Sequence, residues 1–473
     1  MVSLAVPTYK RPASLRRLFV SLAGYAYRSS LDGIYVFDDE ETAGSETESV
    51  VSQINHDHNL SVEYVGRREK LNLAKVIADG NNDLFEILQF AFWGMQECGA
   101  VRAAGVNRNA VLLYGVDKKM VNADDDTLFA YLTYKKPAGF IEKTIAGRKY
   151  QRIQENPFLS FSEKGWDNYK NGLVPLMDDP FLEFDRVLGA APQNLGFNFP
   201  LDGNIKAAHS GVFGGRWYMS ALAIIDVNPL NYRMWKSRAD YTEAKQLPYA
   251  LYLSPAINLT TNPFLFAAHF GYDASALLPP FFPHIRDEDV IWAAMVRDMY
   301  PDSPLCRLPF AIHHHHKADP LPDLSTLRAD SAASGLMGLL IRYASYTPQN
   351  DSPAAYLKSL GEGLVSAAEL SEASWREVTQ GLYAGMQSGM IRQAEQKLAA
   401  LHGEPRFLAA DLRHCIDVLK RESGTVRPWI PLEFARFGAG AESLFREYVQ
   451  RCGELCSAWP ELWEKAKSLK GFA

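Results

Sequence analysis

Strand and helix patterns alternate through the first 130 residues, and this alternation limits the possible folds more than any other feature of the sequence. Residues 2–6 are apolar at every second position, as in a short buried strand, and residues 13–25 carry apolar side chains at helical spacing. Further strands are predicted at residues 34–37, 62–65 and 119–122, and further helices at 81–96 and 107–114. Strands that alternate with helices indicate βαβ units, so we expect an α/β fold with a mainly parallel sheet.

The pattern changes in the rest of the chain. Residues 131–320 contain prolines, glycines, aromatic residues and short apolar runs, which are typical of loops and short strands over the edge of a sheet. From about residue 323 the apolar side chains follow a helical spacing, and residues 374–377 have the sequence of a capping box at a helix start. We therefore expect one domain over residues 1–320, with a division near residue 130, and an all-helical accessory domain over residues 321–473.

The composition argues against several classes of protein. A net charge of −6 and a pI of about 6.0 give no reason to expect nucleic acid as a partner. The five cysteines are odd in number and loosely spaced, which favours buried thiols in a reducing compartment over a disulfide framework. No apolar run reaches the roughly 18 residues of a membrane span, and Lys10 and Arg11 interrupt the apolar N-terminus. These features predict a cytoplasmic protein and leave peripheral contact with a membrane open.

Two aspartates, Asp38 and Asp39, end the second predicted strand. In an open α/β sheet, ligands bind at the carboxyl ends of the strands. A carboxylate in that position accepts hydrogen bonds from a ribose hydroxyl or from an N–H group of a nucleotide base. The alternative interpretation is a solvated acidic turn, because Glu40 and Glu41 follow directly.

Three adjacent aspartates, residues 124–126, follow the strand predicted at 119–122. Neighbouring carboxylates repel one another and are costly at a buried strand end without a cation. Hard cations such as Mg²⁺ and Mn²⁺ bind carboxylate oxygens together with substrate phosphates. The spacing Asp124-x-Asp126 therefore favours a metal site; the alternative is a helix N-terminus, where acids interact favourably with the helix dipole.

Two further polar runs lie later in the same domain. Residues 286–289 read Arg-Asp-Glu-Asp, and the apolar residues after them also fit a helix N-terminus. Four histidines, His313, His314, His315 and His316, follow an apolar stretch and precede Lys317. Adjacent imidazoles can complete a metal shell, and a lysine beside them can neutralise a phosphate. The alternative for the histidine run is a solvated loop.

The chain resembles glycosyltransferases of the GT-A fold, and among them the inverting family 2 type. The blocks that carry the resemblance agree in order and spacing with that family and are residues 6–12, 34–39, 105–110, 120–126 and 286–289. The resemblance covers roughly residues 1–320. It implies a GT-A-like domain that binds a nucleotide-diphosphosugar, with residues 1–130 as the nucleotide-binding part and 131–320 as the acceptor part.

Together with the patterns above, the resemblance implies roles for particular residues. The residues expected to contact the nucleotide sugar are Pro7, Thr8, Tyr9, Arg11, Asp38, Asp39, Arg108, Asp124 and Lys317. Asp124 and Asp126, with one of the four histidines at 313–316, are expected to bind Mn²⁺ or Mg²⁺. Asp289 is expected to be the catalytic base, with Glu288 as the close alternative and Arg286 paired with either carboxylate.

The expected activity is transfer of a sugar from a UDP- or GDP-linked donor to a hydroxyl of a glycan, a lipid-linked glycan or a peptide. The helical domain would recruit the acceptor or join chains into a homo-oligomer. A nucleotidyltransferase is one alternative, although no Gly-rich phosphate loop follows the first strand. A non-catalytic scaffold that binds nucleotide sugars is the other.

Overall fold

The computed structural model describes residues 1–40, 44–98, 104–135, 141–145, 148–152, 159–161, 163–214, 235, 237–246, 249–285, 287–315, 335–345, 352–402, 405–422 and 430–469. Three residues singled out above, Arg286, His316 and Lys317, lie outside these ranges. Within the ranges, the chain forms a twelve-stranded sheet and a separate two-stranded hairpin, and helices pack against the large sheet.

The strands are β1 (Val2–Thr8), β2 (Leu31–Asp38), β3 (Val62–Val65), β4 (Lys119–Ala123), β5 (Thr127–Tyr134), β6 (Ile141–Ile145), β7 (Arg148–Arg152), β8 (Leu159–Phe161), β9 (Leu173–Pro175), β10 (Ala207–Gly214), β11 (Tyr249–Tyr252), β12 (Asn258–Thr260), β13 (His269–Asp273) and β14 (Leu305–His314). Strands β6 and β7 form the hairpin. The main path through the large sheet is β3-β2-β1-β4-β13-β10-β14-β5-β9.

The predicted parallel arrangement is confirmed for the first four strands. Strand β1 pairs in parallel with β2 and β4, and β2 pairs in parallel with β3. Helices connect these strands, as a parallel sheet requires. Beyond β4 the sheet is mixed and mostly antiparallel, because its strands come from the loop-rich middle of the chain. The parallel pair of β10 with β14 is the exception in that half of the described sheet.

The helices are α1 (Pro12–Ala23), α2 (Glu46–His58), α3 (Arg67–Ala78), α4 (Asn82–Trp93), α5 (Ala104–Tyr114), α6 (Glu163–Tyr169), α7 (Pro180–Val187), α8 (Arg238–Gln246), α9 (Glu288–Met299), α10 (Gly335–Ala344), α11 (Pro353–Ala368), α12 (Glu372–Ala400), α13 (Arg406–Glu422), α14 (Leu432–Ala435) and α15 (Ala441–Ser468). The helices predicted at 13–25, 81–96 and 107–114 correspond to α1, α4 and α5.

Alternating side chains of the parallel strands build two cores, one on each face of the sheet. Leu4 and Val6 belong to the core that α1 and α2 cover, whereas Ala5 belongs to the core that α3, α4 and α5 cover. This follows from the two-residue period of a strand. Both faces are therefore closed to water, and the ends of the strands remain as the place for a ligand.

The helical region after residue 320 shares a core with the first domain. Helix α15 packs on α11 and also on α3, α4 and α5. Its buried Trp459 and Tyr448 belong to the same hydrophobic cluster as the sheet residues Phe37 and Met120. The capping box predicted at 374–377 is wrong in position: α12 begins three residues earlier, where Ser371 accepts a hydrogen bond from the Ser374 amide.

The five cysteines are buried, as predicted, and no disulfide joins any two of them. Among the helices that the structure describes, none combines the length and the apolar character needed to cross a bilayer.

Candidate active site

The three aspartates form a tight turn between two strands. Asp124 follows β4, and its carbonyl oxygen accepts hydrogen bonds from the amide and the hydroxyl of Thr127, at 3.0 Å and 2.7 Å. Strand β5 begins at Thr127. The alternative of a helix N-terminus is therefore wrong. The Asp124 amide donates a hydrogen bond to the Ala268 carbonyl at 3.0 Å. This bond fixes the turn against the segment before β13.

The histidine run lies directly beside this turn. Strand β14 pairs antiparallel with β5 so that His314 faces Thr127, and the His315 amide donates to the Asp126 carbonyl at 2.7 Å. His314 Nε2 lies 3.2 Å from Asp126 Oδ1, and both side chains are about as buried as core residues, with 6% and 10% exposed. His313 points to the other face and stacks on Phe213 at 4.9 Å. His313 and His314 therefore end a strand, and the solvated-loop alternative is wrong for them.

The loop after β1 closes over the acidic turn. The Thr8 hydroxyl donates to Asp125 Oδ2 at 2.7 Å, and Arg11 Nη1 donates to Asp125 Oδ1 at 3.1 Å and to Asp126 Oδ2 at 3.0 Å. Burial nevertheless raises the pKa of Asp124 and the pKa of Asp125 to about 6. Desolvation is the largest cause of both shifts, and the neighbouring aspartates add to it. A bound cation would favour the ionised form of these carboxylates.

Arg108 links the acidic turn to the start of α9. Its Nη2 donates to Asp124 Oδ1 at 3.1 Å, and its Nη1 donates to Glu288 Oε1. The arginine is buried, and the ring centres of Phe270 and Phe281 lie 5.9 Å and 5.8 Å from its guanidinium carbon. The resemblance assigned Arg108 to the donor, but its terminal nitrogens pair with protein carboxylates. Arg108 also pairs with Glu288, one of the two acids that Arg286 was expected to bind.

Helix α9 presents the two acids expected to act as base. Glu288 and Asp289 are its first residues, so the interpretation of residues 287–289 as a helix N-terminus is confirmed. Asp289 Oδ2 accepts a hydrogen bond from the Ala267 amide at 2.9 Å, beside the residue that holds Asp124. Burial raises the pKa of Asp289, and Arg108 offsets part of that shift. A carboxylate with a raised pKa suits proton transfer near neutral pH.

The two aspartates at the end of β2 occupy different environments. Asp38 is fully buried, and its carboxylate accepts hydrogen bonds from the Tyr64 hydroxyl at 2.9 Å and the Glu40 amide at 3.0 Å. Both of its oxygens are thus engaged within the protein, and the donor contact expected at Asp38 stays a prediction. Asp39 is half-buried, its amide donates to the Thr8 carbonyl at 3.3 Å, and burial raises its pKa to about 6.

Sequence reasoning missed the residues that support Asp39. Lys70 is fully buried in α3; its Nζ lies 2.5 Å from Asp39 Oδ1 and 3.0 Å from Asn107 Oδ1. Asn107 in turn donates to the Thr8 carbonyl at 3.0 Å. The signal was present in the sequence, because Lys70 falls on the apolar face of α3 with Leu73 at helical spacing.

The remaining described residues expected to contact the nucleotide lie at the end of β1 and in the loop that follows it. Pro7 is half-buried, and Tyr9 is 39% exposed. Lys10 has a φ of 53°, and its ammonium lies 5.1 Å from the centre of the Tyr9 ring. The loop therefore brings an aromatic face and positive charge to the carboxyl ends of β1 and β2.

A protein-only metal site is not seen in the described part of the chain, where no group of three or more His, Cys, Asp or Glu side chains is placed to hold an ion. Asp126 and His314 are a pair. Mg²⁺ and similar ions are usually bound by about one or two carboxylates together with substrate phosphates. A pair of protein ligands beside the other carboxylates of the same turn fits such a shared site.

Comparisons with known proteins give little beyond this geometry. No protein-family model matches the chain, and no curated protein matches it. A crystal structure of residues 1–349 of TarS from S. aureus is similar over 90% of this chain and 93% of that chain, at 11% sequence identity and a TM-score of 0.31. This likeness is too low to support a function.

Proposed function

We propose that this protein is a metal-dependent glycosyltransferase of the GT-A type, which transfers a sugar from a nucleoside-diphosphate donor to an acceptor hydroxyl with inversion. The observation that carries the proposal is the meeting of three separate segments at the carboxyl end of β4: the aspartate turn, His314 and the start of α9. Ligands of open α/β sheets bind at this end of the strands.

The donor is bound by the loop after β1 and by Asp39. Asp39 at the end of β2 accepts an N–H of the base or a ribose hydroxyl, and Tyr9 offers its exposed ring to the base. Arg11 pairs with Asp125 and Asp126. Because its side chain is also 40% exposed, its guanidinium can contact a donor phosphate as well. UDP- and GDP-linked sugars both fit this chemistry, since uracil and guanine each present an N–H donor.

Asp126 and His314 would hold the metal ion, Mn²⁺ or Mg²⁺, with Asp124 beside them. When bound, the ion would stabilise the negative charge that develops on the departing nucleoside diphosphate. Thr8 and Arg11 bind the two carboxylate oxygens of Asp125, whereas Asp126 Oδ1 lies beside His314 Nε2, with which it would share the ion. Arg108 fixes Asp124 by a direct hydrogen bond, so the turn keeps its shape before the donor arrives.

Asp289 takes the proton from the acceptor hydroxyl as that oxygen attacks the anomeric carbon. Attack from the face opposite the diphosphate inverts the anomeric configuration. Glu288 is less suited to this task, because its carboxylate is engaged by Arg108 in a buried pair. Asp289 is bound by two backbone amides, at 2.9 Å and 2.8 Å, and its oxygens retain lone pairs for the proton.

Incubation of the full chain with UDP- and GDP-sugars and Mn²⁺ tests the proposal against its alternatives. Release of nucleoside diphosphate supports glycosyl transfer, with hydrolysis of the donor when the acceptor is absent. Release of pyrophosphate from UTP or GTP in the presence of a sugar 1-phosphate, with no nucleoside diphosphate formed from the nucleotide sugars, would instead identify a nucleotidyltransferase. Binding of the nucleotide sugar without any turnover, in the presence of glycan, lipid-linked glycan and peptide acceptors, would identify a scaffold.

A further inference from the structure

Residues 274–285, which follow β13, form neither helix nor strand, yet most of them are buried. Residues 278–285 have low exposure throughout and contain three prolines, Pro279, Pro280 and Pro283. Proline has no amide hydrogen, so this segment cannot pair as a strand. We call residues 277–285 the proline loop. In sequence it precedes Glu288 and Asp289 by a few residues.

Buried backbone carbonyls need hydrogen-bond partners, and side chains provide them for residues 277, 278, 279, 281 and 283 of the proline loop. Trp292 lies in α9, and Tyr300 directly follows that helix. Tyr300 donates to the Leu277 carbonyl at 2.7 Å, and Trp292 donates to the Pro279 carbonyl at 2.8 Å. The Asn109 side chain of α5 accepts a hydrogen bond from the Phe281 amide at 2.7 Å and donates one to the Phe281 carbonyl at 2.8 Å. These contacts join the loop to α5, which also carries Arg108.

The C-terminal helix α15 provides the other two partners. Trp459 Nε1 donates to the Leu278 carbonyl at 2.7 Å, and the Tyr448 hydroxyl donates to the Pro283 carbonyl. Both side chains are fully buried and lie three helical turns apart, so they share one face of α15. The Tyr448 ring also lies 6.3 Å from the ring of His284, which accepts a hydrogen bond from the Met95 amide at 2.6 Å.

We infer that α15 positions the catalytic base: Tyr448 and Trp459 hold the proline loop and thereby set where Glu288 and Asp289 stand. The inference rests on the proposed function for the role of these acids. Tyr448 and Trp459 are positioning residues, because they touch the loop backbone and reach the acids only through it. The helical region is therefore part of the transfer machinery, in addition to any role in acceptor recruitment.

The test compares two buried tyrosines in the full-length chain. Tyr448→Phe removes the hydroxyl that binds the loop. Tyr383→Phe is the matched control, because Tyr383 is also a buried residue and its hydroxyl donates to Glu422 at 2.5 Å, between α12 and α13. Hydrogen exchange is measured over residues 284–296. Tyr448→Phe should speed exchange of the first amides of α9 by about five- to tenfold, as expected for loss of one hydrogen bond, and Tyr383→Phe should leave them unchanged.

Kinetics on a nucleotide sugar that the wild type turns over supply the second readout. Tyr448→Phe should lower kcat by about tenfold and leave KM for the donor within about twofold, because a misplaced base slows chemistry without loosening donor contacts. Trp459→Phe should act in the same direction and serves if Tyr448→Phe does not fold. Unchanged exchange at 284–296, equal effects of the two tyrosine variants, or a raised KM with wild-type kcat would overturn the inference. If the wild type turns over no nucleotide sugar, the proposed function fails, and hydrogen exchange alone decides whether α15 holds the loop.

Discussion

Asp126 and His314 lie 3.2 Å apart, from carboxylate Oδ1 to imidazole Nε2, although a long stretch of chain separates them in sequence. The antiparallel pairing of β5 with β14 brings them together, because His314 faces the first residue of β5. A carboxylate and an imidazole at this distance and burial are two ligands that a divalent cation accepts. The pair marks the centre of the proposed site.

His314 rather than His313 should bind the metal. Adjacent residues of a strand point to opposite faces, and His313 is stacked on Phe213. His314→Ala should weaken Mn²⁺ binding by at least about tenfold, whereas His313→Ala should leave it near the wild-type value. The free Mn²⁺ signal in electron paramagnetic resonance measures both affinities. Equal weakening by the two variants, or weakening by His313→Ala alone, would contradict the assignment.

The sequence predicted the parallel half of the sheet well, because period-2 and period-3.6 patterns are local. It also predicted that the aspartate turn, the histidines and the start of α9 carry the site. Two kinds of residue could not be placed in this way. Asp38 and Asp39 are adjacent and alike in sequence, and only the packing of Tyr64 against Asp38 distinguishes them. Arg108 pairs with Glu288 through tertiary packing, which no local pattern encodes.

Stability should depend on pH through Asp39. The folded chain raises the pKa of Asp39 from its ordinary value of 3.8 to about 6 by burial, with Lys70 offsetting part of the shift. The protonated carboxyl is thus favoured by folding. Its stabilising contribution is fully present below pH 4 and is lost as pH rises through 6. The free energy of unfolding of the wild type should fall relative to that of Asp39→Asn by up to about 3 kcal/mol between pH 4 and pH 7.

Urea unfolding at a series of pH values measures this difference. The amide that Asp39→Asn introduces does not titrate, so the variant provides the baseline directly. Parallel pH profiles for the two proteins would show that Asp39 keeps an ordinary pKa in the folded chain.

Arg108 should contribute strongly to stability, because it is buried between two acids. Arg108→Met leaves Glu288 buried without its cation and should cost about 3–5 kcal/mol in the free energy of unfolding. Arg376→Met is the matched control: Arg376 also pairs with two acids, Glu372 and Glu442, but is 46% exposed, so its loss should destabilise the chain far less. Urea unfolding of the two variants gives the comparison. An equal loss in the free energy of unfolding for the two variants would contradict the claim that burial makes the Arg108 pair more stabilising.

Asp289 should be essential for chemistry and dispensable for donor binding. Asp289→Asn keeps the shape of the side chain, removes most of its basicity and should lower transfer by about 10²- to 10⁴-fold. Asp287→Asn is the control, because asparagine tolerates the positive φ of 61° at this position and should leave transfer near the wild-type rate. Nuclear magnetic resonance of the product should show an inverted anomeric configuration. Wild-type transfer by Asp289→Asn, or retention in the product, would remove Asp289 from the role of base.

The metal dependence of donor turnover tests the central claim most directly. Release of nucleoside diphosphate is followed first in EDTA and then after excess Mn²⁺ is added, with the wild type and Asp126→Ala side by side. The wild type should be inactive in EDTA and regain its full rate with Mn²⁺, whereas Asp126→Ala should stay inactive at every Mn²⁺ concentration. Full turnover in EDTA, or wild-type turnover by Asp126→Ala, would contradict a metal-dependent transfer site built on Asp126 and His314.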